Sequence, residues 1–131
     1  MTAKRVLSLG QCATDHYAIS RALERHFAVE VIAAAYESEA MELLRNGGFE
    51  LVLINRILDA DGSSGLEVIP RLCELPNAPP VMLVSNFYAS QHQAEAMGAV
   101  PGFGKGSLDD METIERLGLY LAGDASGEEA K

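Results

Sequence analysis

Asn55, Ser85 and Lys105 carry three different polar functions, each at or just beyond the end of a short apolar run: LVLIN (51–55), PVMLVS (80–85) and AVPGF (99–103). Gly10 and Gln11 stand in the same relation to RVLSL (5–9). A hydroxyl and an ammonium can hold an oxyanion between them. A carboxamide donates and accepts hydrogen bonds, but its oxygen carries no formal charge and is a poor nucleophile, so no covalent intermediate is expected on Asn55. None of the five residues is a carboxylate. Mg²⁺ binds through carboxylates and water, so neither Mg²⁺ nor any other cofactor is expected at this set.

Other residues with chemical potential fare worse. Cys12 follows the first run, where a cysteine-dependent phosphatase would place its nucleophile, but Ala18 stands where that chemistry needs an arginine. SLGQCAT has too few hydroxyls for a flavin-phosphate loop. DADGSSG (59–65) looks like a Ca²⁺ loop, yet Ser64 and Pro70 stand where the glycine and the distal glutamate belong, so it reads as a polar turn. His16, His26 and His92 have no mutual ligand spacing, and Cys12 and Cys73 are expected to be reduced. No metal site and no enzyme emerge.

The elements that must position the first set follow from hydrophobic patterning. The four runs above and AVEVIAAA (28–35) are too short for helices, and their β-branched content suits strands buried on both faces. Helical spacing fills the gaps. The first helix carries Ile19, Ala22, Leu23 and Phe27 on one face, with Thr14 as N-cap; the second starts at Ser38 and stops at Gly47. The third has Ser64 and Glu67 as a capping box, with Pro70 inside to kink it or delay its start. The fourth, FYASQHQAEAMG, is short and polar; the fifth starts at Ser107 with Asp109 and Asp110 in its first turn. Alternating strands and helices make a three-layer α/β/α sandwich over residues 1–122, with 123–131 as a flexible tail. In such a sheet, ligands sit beyond the carboxyl ends of the strands, which is where Gly10, Gln11, Asn55, Ser85 and Lys105 converge.

In that order and spacing, RVLSLGQ, FELVLIN, PPVMLVSN and GAVPGFGKG resemble the strand ends of the receiver domains of two-component response regulators, the CheY-like family. The resemblance implies a flavodoxin-like fold with five parallel strands in the order 2-1-3-4-5. It implies that Gly10 and Gln11 replace the family's acidic pair and Asn55 its phosphorylated aspartate. Ser85 and Lys105 match the hydroxyl and lysine that hold the phosphoryl oxygens. Gly106 replaces the following proline, and Gly102 stands at the position of the switch aromatic, with Phe103 one residue off and so on the other face. With three carboxylates gone, the expectation is a pseudo-receiver that signals by protein contact without aspartyl phosphorylation. The alternative is a small-ligand or anion sensor using the relic pocket. Restoring the three carboxylates would be expected to bring back Mg²⁺.

Ten Lys and Arg against nineteen Asp and Glu leave a net charge of −9, with the cations scattered, so direct nucleic-acid binding is not expected. No apolar run approaches the ~20 residues of a membrane span, and the N-terminus has no signal-peptide core, which points to a cytoplasmic protein. The last helix spreads its apolar residues over an arc of roughly 200°, wider than a core stripe. Leu117 and Tyr120 there, and Arg56, Asp59 and Asp61 in the loop after the third strand, are the expected surface for a signalling partner; the chain is expected to be a monomer or a weak homodimer through the last helix.

Overall fold

The computed structural model describes residues 3–122; the 123–131 tail expected from the sequence lies outside them. Five strands alternate with five helices: β1 Lys4–Leu9, α1 Ala13–His26, β2 Val29–Ala34, α2 Glu37–Arg45, β3 Leu51–Asn55, α3 Gly65–Cys73, β4 Val81–Val84, α4 Tyr88–Ala96, β5 Val100–Phe103 and α5 Met111–Leu121. All strand pairs are parallel, in the order β2-β1-β3-β4-β5. This is the flavodoxin-like topology expected from the sequence.

The runs are apolar throughout because the central strands bury both faces. Alternate residues feed two cores. Leu7, Leu9, Val52, Ile54, Val81 and Leu83 pack with α2, α3 and α4 residues such as Leu44, Ile69 and Ala94. Val6, Leu51, Leu53, Met82 and Val84 face the opposite way, onto Ile19 and Leu23 of α1 and Leu117 and Leu121 of α5. Near the end of the sheet, Met82 pairs with Val100 but Val84 with Phe103, so β5 carries one extra residue. The irregularity lets Val100 and Phe103 share the α1/α5 face although they stand three positions apart, an odd spacing that a regular strand would send to opposite faces.

Several helix boundaries differ from the expected ones, each for a local reason. α1 is capped by Cys12 rather than Thr14: the Sγ accepts the Asp15 amide N–H at 3.4 Å. α2 begins at Glu37, one residue before Ser38, and Glu39 reaches back to accept the N–H groups of Ala35 (2.7 Å) and Tyr36 (3.2 Å). Ser64 precedes α3 but makes no side-chain cap; the Glu67 N–H bonds the Ser64 carbonyl instead. Pro70 neither ends nor delays that helix. α5 starts at Met111, because Lys105–Ser107 form a 3₁₀ turn and the Asp110 N–H closes on the Ser107 carbonyl. Asp109 is therefore outside the helix, paired with Arg25 at 2.7 Å.

Candidate site at the carboxyl ends of the strands

β3 lies between β1 and β4, so Asn55 at its end is flanked by Gly10 on one side and Ser85 on the other. Both ends of its carboxamide are engaged. Nδ2 donates to the Gly10 carbonyl at 3.1 Å, and Oδ1 accepts the Arg56 N–H at 3.0 Å. A carboxylate could take the second bond but not the first, since two acceptors would then face each other. Asn55 bonds a loop amide and a strand carbonyl rather than Ser85, whose Oγ accepts the Phe87 N–H at 3.1 Å.

The position that the sequence resemblance assigns to an acidic pair is closed. Gly10 has φ +79°, a left-handed conformation, and a Cβ added there would overlap Leu58. Leu58 is 0% exposed and belongs to the core. The loop after β3 holds it there through two backbone bonds: the Asp59 N–H reaches the Gly10 carbonyl at 2.9 Å, and the Leu58 N–H reaches the Ser63 carbonyl at 2.9 Å. Asp61 accepts both the amide (3.0 Å) and the hydroxyl (2.7 Å) of Ser63, which lowers its pKa and closes the polar turn. Gln11 sits beside this loop with its carboxamide atoms shielded from solvent and without a protein partner.

Lys105 does not stand alone as a free cation. Its Nζ lies 2.6 Å from Oδ2 of Asp15, on the first turn of α1. The site therefore contains a carboxylate that the strand-end positions do not reveal, and the pair is neutral rather than +1. The hydrogen bond to Lys105 holds the Asp15 pKa below its ordinary value, against a smaller opposing effect of burial. A group with a lowered folded pKa stabilises the fold above its unfolded value, near 3.8, and that contribution disappears as pH falls through the folded value. The pair is partly exposed, so Asp15→Asn should cost only about 0.5–1 kcal/mol at pH 7. Urea unfolding of both proteins from pH 7 to pH 3 should show the difference shrink toward the acid end; a constant difference would mean that the ion pair is not its source.

Asn55, Ser85 and Lys105 do meet, lining a cavity of about 250 Å³ with Arg56, Ile57, Val84, Asn86 and Phe87. Gly10 and Gln11 do not border it. The Arg56 guanidinium lies over the Phe87 ring at 4.8 Å, and Asn86 Oδ1 accepts the Gly106 N–H at 3.1 Å. Among the described residues, no three His, Cys, Asp or Glu side chains gather as a metal group.

No protein-family model and no curated protein matches the sequence. Solved structures do. A Chloroflexus aurantiacus chain with a provisional response-regulator assignment superposes with a TM-score of 0.79 at 18% identity, covering 92% of this chain and 99% of that one. A Thermotoga maritima response regulator gives 0.73 at 24% identity, over 92% and 98%. The receiver domain of the Saccharomyces cerevisiae response regulator Ssk1, solved with the phosphotransfer protein Ypd1, gives 0.64 at 16% identity, over 79% of each chain. The fold is the receiver fold.

The sequence resemblance assigns a switch position to Gly102. Gly102 is buried, and a Cβ there would overlap the Leu83 carbonyl oxygen, so this register admits no side chain. Polar side chains from both flanking helices bridge to the strands instead. Gln91 Nε2 lies 2.9 Å from the Leu83 carbonyl, 3.1 Å from that of Ser85 and 3.3 Å from that of Phe103. Arg116 of α5 donates to the Gly102 carbonyl and to Glu112 at 3.0 Å. Phe103 is a core residue on the α1/α5 face.

The expected partner surface needs one correction. Leu117 is 2% exposed and packed in the α1/α5 core, while Leu119 is 75% exposed. α5 turns Thr113, Leu117 and Leu121 inward, a strict i, i+4, i+8 stripe. Tyr120 is half-buried against that core. Asp59 and Asp61 are exposed, and Arg56 is divided between the loop surface and the cavity. Asp15, Gln91 and Arg116 were not singled out from the sequence, and only the Glu112–Arg116 i, i+4 spacing offered any signal for the last of them.

Proposed function

We propose that this chain is a receiver-like module of two-component signalling that works in the cytoplasm by protein contact, without aspartyl phosphorylation and without enzymatic activity of its own. The observation that carries this reading is the engagement of Asn55. Its amide nitrogen is committed to Gly10 and its oxygen to Arg56, so the position is a structural clamp between two strands and a loop. The closure of the acidic-pair position by Leu58 supports the same reading, as do the Gln91 and Arg116 bridges across the switch region. A ligand shifts a conformational equilibrium only by its difference in affinity between states, and a phosphoryl group with no acceptor has none to offer. The partner is a protein, in keeping with the phosphotransfer protein bound to the Ssk1 receiver domain. Leu119 and Met111 on α5, and Ile57 on the loop after β3, are the exposed apolar side chains available to it. Among the described residues no helix is long and apolar enough to cross a membrane.

Acetyl phosphate with Mg²⁺ should leave the mass of the wild type unchanged. The same should hold for Asn55→Asp: the new carboxylate loses the Gly10 bond, and the Asp15 carboxylate is already paired with Lys105. Without a bound metal, the charge that develops in phosphoryl transfer is not offset. A stable gain of one phosphoryl group in either protein would overturn the proposal.

A further inference from the structure

Among the side chains around the cavity at the ends of β3 and β4, one charge stands uncompensated. Lys105 is neutralised by Asp15 at 2.6 Å. Arg56 has no carboxylate within ion-pair distance among the described residues; its contact is the face of Phe87, which holds the guanidinium plane at the cavity wall. Stacking leaves the edge N–H groups of a guanidinium free, and these match the two oxygens of a carboxylate or phosphate. Asn86 contributes in the same sense. Its Oδ1 is committed to the Gly106 N–H, so its free amide group is a donor. The Ser85 hydroxyl accepts the Phe87 N–H, which leaves its proton to donate as well. Free donors therefore converge from two segments, with the Lys105 ammonium on a third, onto a cavity of about 250 Å³, with room for more than a single water.

We propose that this cavity is a noncovalent oxyanion site, for a phosphate or carboxylate group, in which Arg56 supplies the charge and Asp15 sets the affinity by competing for Lys105. An entering anion draws the Lys105 ammonium away from Asp15, and the affinity is reduced by the energy of that contact. The site rests on the reading that Asn55 is not phosphorylated, but the two fail separately. Absence of anion binding would remove the site and leave the acetyl phosphate result standing.

The test is an amide NMR titration of the whole chain with inorganic phosphate and, in parallel, acetate, at an ionic strength held constant with chloride. Saturable shifts at Arg56, Ser85, Asn86 and Lys105 are expected with at least one of the two anions, and which one assigns the ligand class. Arg56→Gln should weaken binding about tenfold or more, the worth of one charge-assisted hydrogen bond, and Arg56→Lys should fall between, having the charge without the fork. Asp15→Asn should tighten it severalfold. The same spectra report whether each variant is folded. Shifts no larger than those from chloride, or equal affinity in folded Arg56→Gln, would overturn the site. Unchanged or weaker binding in Asp15→Asn would overturn the role given to Asp15.

Discussion

Replacing Gly10, Gln11 and Asn55 together by aspartate is expected to destabilise the protein by about 4 kcal/mol or more, and added Mg²⁺ is expected not to restore it. On the sequence alone this triple change looks like reconstruction of a metal site. The structure reverses that expectation. A side chain at residue 10 must adopt a left-handed backbone conformation, which costs roughly 1 kcal/mol even for Asp. It must also displace Leu58 from the core or force overpacking, roughly 1–3 kcal/mol more. Asn55→Asp replaces a donor to the Gly10 carbonyl by an acceptor, adding the penalty of a lost bond and of facing oxygens, about 1–3 kcal/mol. Urea or thermal unfolding with and without Mg²⁺ measures the outcome. Gly10→Ala isolates the steric part. Combined with Leu58→Ala it should cost less than the sum of the two single changes, because the smaller side chain vacates the contested space. A triple variant as stable as the wild type, or one stabilised several kcal/mol by Mg²⁺, would show that the loop after β3 yields more easily than its burial implies.

Leu117→Asp should unfold the domain or bring it close to unfolding, whereas Leu119→Asp should leave stability within ~0.5 kcal/mol of wild type. Two leucines two residues apart on α5 thus differ by their direction alone. Leu117 is buried among residues such as Ile19, Leu23 and Val84, so an aspartate there loses ~2–5 kcal/mol of packing and buries an unpaired carboxylate. Leu119 projects into solvent and has no such role. Circular dichroism melts of the two variants separate the cases. Comparable melting temperatures would mean that α5 is rotated from the position described here. The contrast also makes Leu119→Asp the informative variant for partner binding, since it leaves the fold intact while placing a charge in the exposed apolar face of α5.

The strands were legible because each is a short apolar run bounded by polar residues, and a strand buried on both faces needs nothing else from its sequence. Strand order followed from the resemblance to receivers, not from patterning. The convergence of Asn55, Ser85 and Lys105 was legible for a related reason: parallel strands joined by helices put all their carboxyl ends on one side of the sheet. The rotation of α5 was not. An apolar arc of roughly 200° is wider than the buried stripe, so periodicity does not distinguish Leu117 from Leu119, and only the packing of Thr113, Leu117 and Leu121 on the sheet chose between them.

What the residues by themselves determined is an α/β chain of alternating strands and helices whose strand ends carry an amide, a hydroxyl and an ammonium and no carboxylate. What only the tertiary structure decided is how those groups are spent. Asn55 answers to Gly10, Lys105 to Asp15 and Gly10 to Leu58, and in each case the partner comes from another segment of the chain. Local patterning reports which face of an element is apolar, whereas a hydrogen bond or a steric contact between distant segments depends on their relative placement to within a fraction of an ångström. That placement is set by packing of the whole sheet and its two helical layers, so the neutral Lys105–Asp15 pair and the Leu58 plug became visible only once the chain was folded.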